Sequence, residues 1–218
     1  MLVLGLSGSL RTGSYNRRLL AAAAGGLPPE VEFQKWDGLE RIPAYSEDID
    51  IEPAPAAVDE LRGALAHADA VLIATPEYNH SIPGQLKNTL DWASRPFPHN
   101  VLRAKPAAVI GASTSLFGAV WAQAEVRKVL RAIGAHVIDE ELAVPSAHQA
   151  FQADALLRDP TLQTALAAIL EQLLDAARTP LRVGRVTNAP EVTQVAESCS
   201  AGGRCRARTH PPCSTWWA

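Results

Sequence analysis

"SGSLRTGSYN", residues 7–16, follows the apolar run "MLVLGL" of residues 1–6 and leads into a helix-like segment. Strand, polar turn and helix start are the parts of an anion site. The end of the helix presents unpaired N–H groups and about half a positive charge. Two familiar phosphate loops are excluded. No Gly-Lys-Ser/Thr is present, and Gly5, Gly8 and Gly13 do not fall at the spacing G-x-G-x-x-G. What remains is a loop of short hydroxyls, Ser7, Ser9, Thr12 and Ser14, with the Arg11 guanidinium and the Asn16 amide. Such groups can surround the three oxygens of a phosphate monoester. A plain, well-capped βα turn is the other reading, since capping alone accounts for Ser14.

Working outward, "ADAVLIATP" (68–76) and "KPAAVIGAS" (105–113) are apolar without alternation, as strands covered on both faces are. "VEFQKW" (31–36) alternates and reads as an edge strand, and "AHVIDEELAV" (135–144) as a fifth. Helical periodicity lies between them over 14–26, 55–68, 83–94, 121–135 and 159–177. The last opens on Asp159 as cap with Pro160 at the first helical position. Strand and helix alternate about five times, which predicts a doubly wound α/β sheet. Ligands of such sheets lie beyond the carboxyl ends of the strands. The loops after strands one, three and four are therefore the places for chemistry.

The second of these loops is "TPEYNHSIPGQLKN" (75–88). Its backbone N–H groups can meet a planar heterocycle, with apolar contact from Pro76 and Tyr78, and the helix starting near Pro83 favours negative charge on a reduced ring. The third, "GASTSLFGAVW" (111–121), offers Ser113, Thr114, Ser115 and Gly118, the glycine permitting close backbone approach to a ligand. Taken singly, each also reads as a capped turn. Taken together, phosphate donors on one loop and flat-ring contacts on two others suit a mononucleotide lying across the strand ends.

The composition excludes several classes. The 218 residues are 47% hydrophobic and 20% charged, as in a soluble globular protein. A net charge of −3 gives no reason to expect nucleic acid. Neither a signal peptide nor a membrane span is expected, and a cytoplasmic location follows by default. The three cysteines, Cys199, Cys205 and Cys213, all fall past Pro180, where periodicity stops. That segment, 180–218, reads as a disordered tail of net +3 behind an acidic domain, 1–179, of net −6. Its cysteine spacings do not match zinc pairs, the six histidines show no metal motif, and no metal site is expected.

These residues resemble the flavodoxin-like NAD(P)H-dependent FMN reductases, which include bacterial quinone and chromate reductases. The family's first loop, G-S-x-R-x-x-S-x-N, is matched by Gly8 through Asn16. Its second motif, T-P-E-Y-N-x-S-x-P-G-x-L-K-N, is matched by Thr75 through Asn88, with Asp91-Trp92 following. "IPAYSEDID" (42–50) is similar to its Pro-x-Tyr-x-x-Asp segment. The resemblance spans about residues 1–178. It implies a five-stranded parallel sheet of order 2-1-3-4-5, FMN as cofactor, and two-electron transfer from NADPH or NADH to a quinone, free flavin or similar acceptor by a ping-pong mechanism. By position, Ser9, Arg11, Ser14 and Asn16 would hold the FMN phosphate. Pro76, Glu77, Tyr78 and Asn79 would line the ring, and Ser113 and Gly118 would flank it. No catalytic acid or base is assigned, and hydride would pass at the flavin N5. The backbone of Glu77 is expected to matter more than its carboxylate, Tyr78 is a candidate for stacking on the substrate, and His80 reads as a cap or interface histidine. A homodimer or homotetramer is implied, with Leu86, Leu90 and Trp92 as candidates for the contact or for the core. One departure concerns Gly118-Ala119, where many relatives carry Gly-Gly, beside the bulky Trp121. The alternatives are a flavodoxin-type electron carrier and a non-catalytic flavin-binding protein whose tail recruits a partner.

Overall fold

The structure is a computed structural model and describes residues 1–179. The tail expected at 180–218 lies outside the described residues. The elements run β1 (Leu2–Ser7), α1 (Tyr15–Gly25), β2 (Glu32–Trp36), α2 (Ala56–His67), β3 (Ala70–Thr75), α3 (Gly84–Ala93), β4 (Pro106–Ala112), α4 (Val120–Ile133), β5 (His136–Val137), β6 (Leu142–Val144) and α5 (Pro160–Arg178). All strand pairings are parallel, in the order β2-β1-β3-β4-β5, with β6 also on β4. This is the flavodoxin-like order that the resemblance implies.

Alternation along each strand divides the core between the two faces of the sheet. Leu2, Leu4, Leu6, Val71, Ile73 and Val109 point to the side covered by α2, α3 and α4. Val3, Leu72, Ala74, Ala108 and Ile110 point to the side covered by α1 and α5. β1, β3 and β4 are buried at every position, which is why their sequences run apolar without a break. β2 is buried only at Trp36, in keeping with an edge strand.

The strand expected over 135–144 is broken in two. Between the paired positions Ala107↔Val137 and Ile110↔Leu142, β4 advances three residues while its partner advances five. The extra residues fall at the acidic run Asp139–Glu141, which turns outward to the arginines of α4. Arg127 meets Glu141 at 2.8 Å, and Arg131 meets Asp139. Ile138 alone keeps the ladder, donating its N–H to Ala107 O at 2.9 Å.

Register brings the ends of the central strands together, with Ser7 beside Ala74, Thr75 beside Gly111 and Ala112 beside Val144. β1 pairs on one side with β2 and on the other with β3, so the chain reverses its direction of travel at β1. The crevice between the loops after β1 and β3 is the ligand position of such a sheet. Among the described residues, no helix is long and apolar enough to cross a membrane.

Candidate flavin site

The loop after β1 is built on serine hydroxyls that accept from the backbone. Ser7 Oγ accepts from Ser9 N at 3.4 Å, and Ser9 Oγ from Arg11 N at 3.3 Å. Ser14 Oγ accepts from Asn16 N at 3.2 Å and Arg17 N at 3.4 Å, capping α1. A hydroxyl that accepts with its lone pairs keeps its own hydrogen to donate. Each of these serines can therefore shape the loop and still donate to an anion. Capping and anion binding are compatible roles. Arg11 is exposed, its guanidinium 5.2 Å from the centre of the Tyr15 ring.

Asn16, expected at the phosphate, also ties two elements together. Its side chain is buried, Nδ2 donating to Ala112 O and Oδ1 accepting from Ala112 N, each at 2.9 Å. This two-point clamp spans 96 residues and ties the start of α1 to the end of β4. The side chain sits as a floor beneath the loop.

The loop after β3 makes a tight reversal at Tyr78–Ser81. Tyr78 and Ser81 exchange backbone hydrogen bonds of 3.2 and 3.1 Å, and the two residues between them, Asn79 and His80, have φ of 53° and 59°. Positive φ at both central positions is the type I′ geometry, in which asparagine is among the favoured residues. Asn79 thus serves the turn. α4 holds this turn from the side: Glu125 Oε2 accepts from Ser81 Oγ at 2.5 Å and Ile82 N at 3.3 Å. Those two donors keep the Glu125 carboxyl below the usual carboxylate range.

Glu77 acts through its carboxylate as well as its backbone. The residue at the N-cap of α4 is Ala119, in the left-handed region at φ 68°, with no side chain able to cap. Glu77 Oε2 supplies the missing acceptor from another element, taking Trp121 N at 3.1 Å and Ala122 N at 3.2 Å. Its other oxygen lies 3.5 Å from His80 Nδ1, and only 7% of the side chain is exposed. The helix dipole favours a negative charge at this spot. Capping across elements cannot be read from local sequence, because no cap residue precedes the helix.

In the loop after β4, Gly118 has φ of 59°, and a Cβ there would lie 2.6 Å from Ala143 C and 2.7 Å from Val144 N. The close approach that this glycine permits is to the backbone of β6. Ser113 donates its N–H to Val144 O at 3.1 Å and accepts from Ala147 N at 3.0 Å, so the segment after β6 supports this loop.

Ser9, Arg11, Ser14, Asn16, Pro76, Glu77, Tyr78 and Ser113 share a single cleft of about 140 Å³. Asn79 and Gly118 are outside its lining. Tyr15, Ala112 and Thr114 complete it. Tyr15 stacks on Phe151, 6.3 Å between centres with planes 5° apart. A residue of the segment before α5 thereby fixes the wall, and the sequence holds no local sign of that pairing.

The second half of the second motif serves the neighbouring loop. Asn88 Nδ2 and Trp92 Nε1 both donate to Pro43 O, at 2.8 and 2.9 Å, and Asn88 Oδ1 accepts from Tyr45 N at 2.7 Å. Gln85 Nε2 donates to Leu39 O and Ile42 O, both at 2.8 Å. Leu86, Leu90 and Trp92, held open between interface and core, are buried within the single chain. They belong to the core.

A parallel sheet of this order, with hydroxyl donors and a helix N-terminus at one end of the cleft and an apolar-lined crevice at the other, defines a mononucleotide-binding protein of flavodoxin-like fold. Comparison with known proteins narrows the class: the profile of the NADPH-dependent FMN reductase family matches residues 1–149, and the chain belongs to that family. It is similar to an NAD(P)H-dependent FMN reductase of Pseudomonas aeruginosa, 45% identical over 158 residues that cover 72% of this chain and 84% of that one. It is also similar to a 2-hydroxy-1,4-benzoquinone reductase of a Burkholderia species, 43% identical over 56% of this chain and 66% of the relative. Among solved structures, a flavoenzyme NAD(P)H:(acceptor) oxidoreductase from Paracoccus denitrificans superposes with a TM-score of 0.74 at 34% identity, over 82% of this chain and 98% of that one.

Proposed function

We propose that this chain is an FMN-dependent reductase that moves two electrons from NADPH or NADH to quinones, free flavin or similar small acceptors. The observation that carries the reading is the donor set of the cleft. Serine hydroxyls with hydrogens to give, the Arg11 guanidinium and the N-terminus of α1 meet at one end, with Pro76 and Tyr78 at the other. Of the residues that line this cleft, Glu77 is the sole acid, and its charge is engaged by the backbone of α4. A dianionic phosphate therefore fits the first end and a planar ring system the second. Ser9, Ser14 and Arg11 would hold the phosphate, and Pro76, Glu77, Tyr78 and Ser113 would border the ring.

When bound, FMN supplies the hydride-accepting and electron-donating chemistry, as cofactors do in general. The protein's share is placement. Asn16 fixes the floor, Glu77 fixes the first turn of α4, and Tyr78, 54% exposed, gives an apolar face at the open side. The nicotinamide and the acceptor would use that opening in turn, which is the ping-pong scheme, with Tyr78 stacking on whichever occupies it. The reading assigns the chemistry to residues 1–179 and none to 180–218. It also takes the active species as a cytoplasmic homodimer or homotetramer, its contacts made by surfaces other than Leu86, Leu90 and Trp92.

The test is the visible spectrum of the purified protein before and after anaerobic addition of NADPH or NADH. Flavin bands that bleach with either nicotinamide are expected. Flavin bands that resist both identify an electron carrier. No flavin, even after FMN is added, refutes the cofactor assignment.

A further inference from the structure

Beside the cleft stands a group of side chains that the binding of FMN does not use. Trp121, in the first turn of α4, has the His80 ring 4.6 Å away at 87° and the Phe117 ring 4.9 Å away at 62°. After both contacts Trp121 is still 39% exposed, Phe117 55% and Leu116 80%. Large apolar side chains grouped in this way on a surface mark a place where something apolar binds. The group is fixed to the cleft at two points. The backbone N–H of Trp121 is held by Glu77, which lines the cleft, and His80 belongs to the same tight turn as Tyr78, which also lines it. Through these two points the group stands as a wall joined to the turn that carries Tyr78.

We propose that Trp121, with Phe117 and His80, selects the acceptor: it favours neutral quinones with two or more fused rings over single-ring quinones and over oxyanions such as chromate. The proposal rests on the reductase reading above. Two features carry it. The rings of the wall meet edge to face, and the part-exposed Trp121 indole adds an aromatic surface beyond Tyr78, so a second fused ring gains contact that a single ring does not reach. Its charge is also wrong for an oxyanion. None of Tyr78, His80, Leu116, Phe117 and Trp121 is a lysine or arginine, so the wall offers an oxyanion no fixed positive charge. The arginine of the cleft, Arg11, is at the phosphate end.

The test compares kcat/KM for 1,4-naphthoquinone with that for 1,4-benzoquinone in the full-length holoprotein and in Trp121→Ala, Trp121→Phe and Phe117→Ala. Taking the ratio between proteins cancels the intrinsic reactivity of each quinone. The ratio is expected to fall about tenfold in Trp121→Ala, less in Phe117→Ala, and to be largely restored in Trp121→Phe. Any residue at 121 keeps the backbone N–H that Glu77 accepts, and an unchanged flavin spectrum reports that the site is intact. A ratio unchanged in Trp121→Ala overturns the proposal. If sedimentation then shows that Trp121→Ala has lost its oligomer, the wall is a contact with a second copy of the chain instead. Failure of the wild-type protein to bind FMN or turn over either quinone overturns the reductase reading, and this preference with it.

Discussion

Removing the Glu77 carboxylate separates its structural role from any role in chemistry. In Glu77→Ala, Trp121 N and Ala122 N lose their acceptor, and Ala119 has no side chain to replace it. Loss of a helix cap costs about 1 kcal/mol. Loss of a partly buried charge at a helix N-terminus adds about 1 kcal/mol, and up to about 2 in favourable geometry. The variant should therefore be about 2–3 kcal/mol less stable, which for a chain of this size lowers Tm by about 4–12 °C. Glu77→Gln keeps an acceptor oxygen without the charge and should lose about 1 kcal/mol. The measurement is urea unfolding of flavin-free protein, so that loss of cofactor affinity does not enter the free energy. A loss under about 0.5 kcal/mol in Glu77→Ala, or equal losses in the two variants, would refute the capping argument.

Four further variants address the site and the fold around it. Asn16→Ala leaves Ala112 N and O without their buried partners, should cost about 2–4 kcal/mol in urea unfolding, and should weaken FMN binding in a fluorescence titration. Gly118→Ala drives a Cβ into the backbone of β6 at a positive φ and should cost about 3 kcal/mol or more, whereas Gly63→Ala, in α2 with open space around it, should gain about 0.5–1 kcal/mol. Glu125 is held below its ordinary pKa, so its contribution to stability is present above the ordinary carboxylate range and is lost as pH falls through the lowered value. Glu125→Gln should therefore lower Tm at pH 7, and the difference from wild type should shrink as pH falls below the ordinary carboxylate range. A difference that does not shrink on acidification would show that the effect is not one of charge.

The frame of the fold is legible because β1, β3 and β4 are buried on both faces and the helices between them are amphipathic. Both are properties of single segments. The cleft is legible for a related reason: its lining comes from loops at the ends of those same strands. What the sequence did not disclose are relations between segments. Asn16 reads as a phosphate ligand, and its clamp on Ala112 shows only once the two segments are placed together. Gly118 reads as room for a ligand until β6 is placed behind it. The capping role of the Glu77 carboxylate is hidden because the helix it caps begins 43 residues later. The break between β5 and β6 is visible in the acidic run Asp139–Glu141, but only in combination with Arg127 and Arg131 on α4. The core role of Leu86, Leu90 and Trp92 required the other layers of the sandwich, since an apolar helix face looks the same whether it meets its own sheet or another subunit.

The clamp between Asn16 and Ala112 also sets an order of assembly. The loop after β1 takes its floor from the last residue of β4, almost a hundred positions later. Until β4 docks beside β3, the Asn16 amide lacks its partner at Ala112, and the start of α1 is without one of its ties. The cofactor therefore meets a finished site only after β1, β3 and β4 are in register. The loop that carries the clearest signature in the sequence is completed only by a distant strand.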